Sequence, residues 1–370
     1  MKPIRVLHIL HSMNRGGAES LIMNYYEYID REIIQFDFLL TEQKRCHYED
    51  RISELGGVIY RIPYLSFRSF FNYLKGLRLF FKNHEYRIVH SHTSSKSFFP
   101  LAVAWFYGVP VRIAHSHNSN SKAGLINCIR SMLKYPLKIV ASHYLSCGIE
   151  AAKWLYGNRI VNSGQVVLIP NVIDTSAFNY NPSVRSSIRS KYDISNDAIV
   201  LGCTARFSYQ KNHMFLISIF EELLLRNCDS LLLLIGDGEM NNSIRQVVKD
   251  NKIENKVIFL GVVNNVCKYL QAMDFFVMPS FYEGLPLSLI EAQATGLKCF
   301  ASEGVPSEAD ITGLVSFLPL EKGPEYWADA ILREVGYTRK SYIDEVRKAG
   351  YDAAESAVKL QEFYLSTIKE

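Results

Sequence analysis

The segment Pro279–Leu297 has the composition of a strand end followed by a helix that can receive an anion. Pro286 suits the first turn of a helix, where a missing N–H costs nothing. The first amides of a helix have no partner inside it. The backbone N–H groups of Gly284, Leu285 and Leu287 are therefore predicted to be free for an anionic ligand.

Two carboxylates flank this predicted anion site. Glu283 lies in the loop before the helix and Glu291 within it, so both can reach one ligand. A carboxylate beside an anion is electrostatically unfavourable, so we expect both to accept hydrogen bonds from sugar hydroxyls. A Glu-x7-Glu spacing is common by chance, and the glycine and proline around it give it weight.

Two further loops carry polar residues of the matching kind. Arg206 and Lys211 follow a predicted strand together and suit a diphosphate, although a basic pair in a loop is often only a solvated surface. Gly236 begins the tight turn Gly-Asp-Gly-Glu, where backbone could approach a ligand closely.

The first 170 residues add a glycine pair and a histidine. Gly16 and Gly17 precede an amphipathic helix and could place amides near an anion, but such a pair is as often a structural turn. His117 follows a strand, where it could contact a sugar or a developing charge, or simply pack.

Metal and dinucleotide sites are not indicated. The chain contains no Asp-x-Asp, and His115 and His117 have no Asp or Glu within ten residues, so we expect no metal and no cofactor. The loop at Gly16 lacks the Gly-x-Gly-x-x-Gly spacing of a dinucleotide-binding site.

The elements that must position these residues are short apolar strands separated by helical stretches, typical of parallel α/β sheets. They are too numerous for one sheet of usual size, so two doubly wound domains are predicted. The proposed boundary lies near 170–177, giving domains 1–172 and 173–370, with a last helix at about 350–370 packing back on the first domain. The predicted strands are Val6–Leu10, Phe36–Leu40, Val58–Ile62, Ile88–Ser91, Val111–His115, Val166–Ile169, Ile199–Thr204, Leu231–Ile235, Val257–Leu260, Phe275–Met278 and Lys298–Ala301.

Composition excludes several classes of protein. The 370 residues are 48% hydrophobic and 21% charged, with seven dispersed cysteines, so neither disorder nor a disulfide framework is predicted. The N-terminus has no apolar stretch of signal-peptide length, and we expect a cytoplasmic protein. Residues 1–170 carry 21 Lys and Arg against 11 Asp and Glu, whereas residues 171–370 carry 20 against 26, so the front lobe is basic.

Together these segments resemble glycosyltransferase family 4, also called group 1, over nearly the whole chain. That resemblance implies the GT-B fold, in which two Rossmann-like domains face each other across a cleft. Asn24-Tyr25-Tyr26 and Gly313–Pro319 further resemble exopolysaccharide and capsule members. The matching segments are Gly16–Glu19, His117-Asn118, Ile169–Asn171 with Asp174, Arg206 with Lys211, Gly236–Gly238, Val257–Gly261 and Glu283–Glu291.

The resemblance also implies roles for individual residues. Arg206 and Lys211 would hold the donor diphosphate together with the amides of residues 284–287. Glu291 would bind the ribose of the nucleotide and Glu283 the donor sugar. His117 would contact the sugar near its reacting carbon, and Gly16 and Gly17 would lie near the phosphate and acceptor.

The implied reaction is metal-independent hexosyl transfer with retention of configuration, from a nucleotide-diphosphate sugar, which we expect to be a UDP-sugar. The acceptor would be a glycan or an undecaprenyl-diphosphate-linked glycan. No second carboxylate is evident as a nucleophile near His117, which favours a front-face, ion-pair-like route over double displacement. Two departures from the family pattern are Lys298, in place of a proline, and the stretch 302–306, which lacks a glycine pair.

Residues 61–87 are basic and aromatic, with Arg68, Lys75, Arg78 and Lys82 at helical spacing. Such a segment can lie on an anionic inner membrane, or its apolar stripe can be the core face of an ordinary helix. A second candidate segment runs from Lys122 to Lys138.

Two alternatives to a glycosyltransferase stay open at this point. A nucleotide-sugar epimerase can share the two-lobed fold, although the glycine and glutamate segments argue against it. A non-catalytic protein that binds a nucleotide sugar or a nucleic acid is the other, but no nucleic-acid-binding module is present.

Overall fold

The computed structural model describes residues 2–14, 16–117 and 125–369, and the side chains of residues 125–130 and 369 are not described. The chain divides into two compact units. The first comprises residues 1–172 and 352–370, and the second comprises residues 173–351.

The first unit is built on a parallel sheet whose strand order is β3-β2-β1-β4-β5-β6-β7. Its central strands β1, β2, β4 and β5 are mostly buried, as expected when helices cover both sides of a parallel sheet. Within the described residues they are β1 (Ile4–Leu10), β2 (Ile34–Leu40), β3 (Ile59–Arg61), β4 (Ile88–Ser91), β5 (Val111–Ser116), β6 (His143–Ser146) and β7 (Val166–Leu168).

The second unit contains a parallel sheet of order β10-β9-β8-β11-β12-β13, the arrangement of a Rossmann-type sheet. The predicted α/β class with two doubly wound sheets is confirmed. The described strands are β8 (Ile199–Thr204), β9 (Ser230–Ile235), β10 (Val257–Gly261), β11 (Phe275–Met278), β12 (Lys298–Ser302) and β13 (Val315–Leu318).

Helices connect the strands of both sheets. Those of the first unit are α1 (Gly17–Tyr28), α2 (Glu49–Glu54), α3 (Phe70–Asn83), α4 (Phe98–Phe106), α5 (Leu125–Val140), α6 (Ile149–Tyr156) and α7 (Asn158–Asn162). Those of the second unit are α8 (Pro182–Lys191), α9 (His213–Arg226), α10 (Asn241–Asp250), α11 (Val266–Ala272), α12 (Leu287–Ala294), α13 (Gly323–Arg333) and α14 (Ile343–Lys348).

The last helix, α15 (Ala353–Lys369), belongs to the first unit. Leu360 and Tyr364 are buried in the core that α1 and β2 also line. The Tyr364 hydroxyl is hydrogen-bonded to His90 Nδ1 at 2.7 Å, so the helix is fixed by a polar contact as well as by apolar packing.

An aspartate ties loops and helices to the sheet in each unit, and it is buried in the first unit and partly exposed in the second. Asp37 on β2 accepts bonds from Arg5 and from the Tyr86 hydroxyl, which lies 2.8 Å away. Asp274, just before β11, receives Arg185 at 2.5 Å and Arg189 at 2.6 Å. These side chains form ion pairs inside their own unit, so we assign them to stability rather than to catalysis.

None of the helices within the described residues has the length and apolar content needed to cross a bilayer.

Candidate functional site

In the second unit, the loops after β8 and β11 bring polar side chains into contact. Lys211 Nζ lies 2.6 Å from Glu283 Oε1, and these side chains are 19% and 6% exposed. Gln210 Nε2 lies 3.3 Å from the other Glu283 oxygen. Both loops follow the carboxyl ends of adjacent parallel strands, the edge at which open α/β sheets bind ligands.

Backbone contacts fix the positions of these two loops. Phe281 N donates to Gln210 O at 2.9 Å, and Glu283 N donates to Gly304 O at the same distance. A Cβ at Gly304 would approach Phe281 O to 2.2 Å, so only glycine fits there. Residues 302–306 lack the glycine pair of the family pattern, and Gly304 alone provides the close approach.

Helix α12 begins at Leu287 with Pro286 at its N-cap, one residue later than predicted. Leu289 and Ile290 donate to Pro286 O, whereas the amides of Gly284, Leu285 and Leu287 donate no backbone hydrogen bond within the part of the chain described here. A Cβ at Gly284 would meet nothing within 4 Å, so the backbone there is open. Binding of an anion by these amides stays a prediction.

Glu291 lies on α12, one turn deeper than the free amides. Burial raises the pKa of its carboxyl to about 8, and no cation offsets that effect. A partly buried carboxyl of this kind is stabilised by hydroxyl donors, which a sugar ring supplies.

Arg206 and Gly236 contact residues other than Lys211 and Glu283. Arg206 is 73% exposed and lies 3.0 Å from Glu239. Gly236 has a φ of +135°, and a Cβ there would approach Ala205 O to 2.0 Å. The backbone at Gly236 therefore lies close to the backbone at Ala205. Packing within the chain explains the glycine at this position, independently of any ligand.

In the first unit, Gly16 is the N-cap of α1 and Gly17 is its first residue. A Cβ at Gly16 would approach the Glu19 carboxylate to 2.3 Å, whereas one at Gly17 would meet nothing within 4 Å. His117 directly follows β5, and burial lowers its pKa to about 4, so its imidazole is neutral at pH 7. Asn118, which the resemblance paired with His117, lies outside the described residues.

Sequence reasoning missed two parts of this polar machinery. Gln210 and Gly304 act through contacts with residues 73 and 21 positions away, which no local motif reveals. His8, His90 and His92 join His115 and His117 on one face of the first sheet. The His-x-His spacing of His90 and His92, which is the same as that of His115 and His117, is the signal that could have revealed this group.

In the basic segment 61–87, some apolar side chains belong to the core and others are exposed. On α3 the side chains of Tyr73, Leu77, Phe80 and Phe81 are buried in the core. Phe71 on the same helix is 83% exposed. A shallow depression of about 330 Å³ is lined by Phe71, Leu74, Lys75, Arg78, Leu79, Lys82 and Tyr107.

The second basic segment is described only in part. Lys122 lies outside the described residues. On α5, Met132, Tyr135 and Ile139 are each more than 70% exposed, so this helix also presents apolar side chains to solvent.

Two family models match the chain. The model described as "Glycosyltransferase Family 4" covers residues 15–177, and that described as "Glycosyl transferases group 1" covers residues 198–335. The two matches lie on the two halves of the chain.

Relatives match over most of their length. EpsF of Bacillus subtilis (strain 168), assigned as a glycosyltransferase, is 34% identical over 375 residues, covering 99% of this chain and 98% of EpsF. The capsular polysaccharide biosynthesis glycosyltransferase CapH of Staphylococcus aureus is 26% identical, covering 98% and 99%. The Escherichia coli UDP-Gal:alpha-D-GlcNAc-diphosphoundecaprenol alpha-1,3-galactosyltransferase is 24% identical, covering 81% and 79%.

The fold is also that of solved structures. Anabaena Alr3699/HepE, crystallised with UDP, superposes with a TM-score of 0.75 at 17% identity, covering 98% of this chain and all of that one. At this identity the likeness concerns the fold.

Proposed function

Because the chain belongs to glycosyltransferase family 4, we propose that it is a retaining hexosyltransferase that uses a UDP-sugar. Its acceptor is a glycan or an undecaprenyl-diphosphate-linked glycan in the synthesis of an exopolysaccharide or capsule. The observation that carries this proposal is the Lys211–Glu283 pair, 2.6 Å apart, held beside the free amides at the start of α12. The names of CapH and the E. coli galactosyltransferase support the process and the type of donor and acceptor.

The second unit holds the donor in this proposal. Lys211 and the amides of residues 284–287 contact the diphosphate, and Arg206, being exposed, swings from Glu239 to join them. Glu291 receives the ribose hydroxyls and Glu283 those of the sugar. Gly236 lines the same loop edge.

Catalysis then follows from charge placement. As the bond between the anomeric carbon and the phosphate oxygen breaks, Lys211, Arg206 and the amides stabilise the negative charge that develops on UDP. The acceptor hydroxyl attacks the anomeric carbon from the face that UDP leaves, and the departing phosphate takes the hydroxyl proton. The roles of His117, Gly16 and Gly17 towards the sugar and acceptor stay predictions.

Release of UDP from a panel of nucleotide sugars, with and without acceptor, tests the proposed function. Acceptor-dependent release from a UDP-sugar with a glycosylated product supports it. Conversion of the sugar without UDP release would instead indicate an epimerase. Binding without turnover of any nucleotide sugar would indicate a non-catalytic protein.

We also propose that the first unit contacts the anionic inner face of the cytoplasmic membrane, where a lipid-linked acceptor resides. The support is the combination of Lys75, Arg78 and Lys82 with exposed aromatics, since Phe67 is 88% and Phe106 82% exposed. Basic side chains near an anionic surface each contribute about 1 kcal/mol, and buried aromatics add to this.

Flotation with phosphatidylglycerol-containing vesicles at low salt tests the membrane contact. We expect the triple change Lys75→Gln, Arg78→Gln and Lys82→Gln to abolish flotation. A matched control neutralises three exposed lysines of the second unit, namely Lys249, Lys252 and Lys322. Failure of the unchanged protein to float, or equal loss in the control, would contradict the proposal.

A further inference from the structure

Five histidines lie on one face of the first sheet, and the strand register brings them together. His8 on β1 pairs in register with His90 on β4, and Ser91 pairs with Ala114 on β5. His92 is therefore level with His115, and side chains two residues apart on a strand share a face. In the sequence, the two histidines His115 and His117 alone are too few to indicate a metal site. The strand register adds His92 as a third imidazole.

The described residues contain two sets of three imidazoles whose ring nitrogens lie within 4.8 Å of one another. One set is His8, His90 and His92, and the other is His92, His115 and His117. His8 and His90 are only 1% and 2% exposed, whereas His92 and His117 are both partly exposed. The second set has two partly exposed members against one in the first set, so an entering ion reaches it more readily.

We propose that His92, His115 and His117 form a binding site for a transition-metal ion of the Zn²⁺ class, and that occupation of this site inhibits the enzyme. Imidazole nitrogen is a ligand that Zn²⁺, Co²⁺, Ni²⁺ and Cu²⁺ prefer. At Zn–N distances of about 2.0–2.1 Å, three tetrahedral ligand nitrogens lie about 3.3 Å apart. His92 Nδ1 and His117 Nε2 are already 2.9 Å apart.

The other two histidines provide the outer contacts that metal-binding imidazoles need. A ligating histidine usually donates its remaining ring N–H to a fixed acceptor. If His92 binds through Nδ1, its Nε2–H points to His8 Nδ1 at 3.0 Å. If His115 binds through Nε2, its Nδ1–H points to His90 Nε2 at 3.1 Å, and His90 in turn reaches the Tyr364 hydroxyl.

Unpartnered nitrogens at the same place support a ligand. His115 Nε2 and His117 Nδ1 are buried and have no hydrogen-bond partner among the residues described. A buried polar atom without a partner is costly, and a metal ion would remove that cost at His115. One consistent set of tautomers satisfies His92, His115 and His90 when the ion is present, whereas His8 Nε2 has no partner among the described residues.

Inhibition follows from His117, and this part rests on the proposed function. The family resemblance implies that His117 contacts the donor sugar near its reacting carbon, and the inhibition depends on that prediction. An imidazole that binds a metal ion cannot also contact the sugar. The ion would therefore act as a reversible inhibitor of a reaction that does not use a metal.

Metal binding is tested on the full chain without any substrate. The chelator-treated protein is dialysed against micromolar ZnCl₂, its zinc content is measured, and CoCl₂ is then used as a spectroscopic probe. We expect one ion per chain and the intense visible absorption of tetrahedral Co²⁺. His115→Gln should weaken binding at least 100-fold, and the outer His8→Gln about 10–100-fold.

His47→Gln is the matched control, because His47 is an exposed histidine of the same unit, and it should bind as the unchanged chain does. Thermal melts identify variants that fail to fold, in which case His115→Asn replaces His115→Gln. Absence of bound zinc, or unchanged binding in a folded His115 variant, would overturn the proposal. Zinc should inhibit sugar transfer by the unchanged chain, with reversal by EDTA, and bound zinc without inhibition would overturn the inhibitory role alone.

Discussion

The ion pair between Lys211 and Glu283 leads to a prediction in which two binding measurements change in opposite directions. In the free protein Glu283 neutralises Lys211, and the pair is largely shielded from solvent at 2.6 Å. The change Glu283→Gln keeps the shape and one hydrogen-bonding oxygen but removes the charge. Lys211 is then available to the diphosphate without competition.

The size of each effect follows from the contacts. Loss of a hydrogen bond to a charged group costs about 1.5–3 kcal/mol, which corresponds to roughly 10–150-fold. We therefore expect kcat/KM for the UDP-sugar to fall roughly 10–150-fold in Glu283→Gln, because the sugar loses its charged acceptor. Release of Lys211 should strengthen the binding of UDP itself, by up to about tenfold at roughly 1.4 kcal/mol per factor of ten.

Isothermal titration with UDP and initial-rate kinetics with the UDP-sugar measure the two quantities on the same preparation. The control is Glu303→Gln, an exposed glutamate of a neighbouring loop, which should change neither quantity. If Glu283→Gln weakens UDP and the UDP-sugar equally, Glu283 only maintains the loop, and the assigned contact with the sugar is wrong.

Three other predictions test separate residues. Arg206→Ala should lower kcat/KM roughly 10–150-fold while the melting temperature stays unchanged, because Arg206 is exposed, and near-normal turnover would remove it from the site. The raised pKa of Glu291, about 8 in the folded protein against 4.5 when unfolded, means that the folded state keeps a proton that the unfolded chain has lost. Stability measured by urea unfolding should therefore fall as pH rises from about 4.5 through 8, and the same series in Glu291→Gln should be flatter; equal slopes would contradict the burial argument. Asp274→Ala should destabilise the protein by about 3–5 kcal/mol, since Arg185 and Arg189 lose their shared counter-charge, and a loss below about 1 kcal/mol would show that the chain reorganises around them.

The strands show how far local pattern predicts this fold. Ile88–Ser91, Ile199–Thr204 and Phe275–Met278 have the predicted bounds, because each begins with two adjacent β-branched or aromatic residues. Strands β6 and β13 were missed. His143–Ser146 and Val315–Leu318 begin with no such pair, because a polar residue stands at the first or second position.

The sequence indicated which residues to expect at the candidate site, but not which of them contact each other. Glu283 and Lys211 each belong to a recognisable segment, yet their ion pair joins residues 72 positions apart and depends on strand order. The same holds for His92, which reaches His117 only through the register of β4 and β5. Long-range pairing of this kind is set by sheet topology, which local sequence does not encode.

The anomeric configuration of the transferred sugar tests the central claim most directly. A donor screen with α-linked UDP-sugars and a lipid-linked or glycan acceptor, followed by mass and NMR analysis of the product, measures it. We expect acceptor-dependent release of UDP and a product that keeps the α configuration. A β-linked product, or consumption of the donor without any glycosylated product, would contradict retaining transfer by this chain.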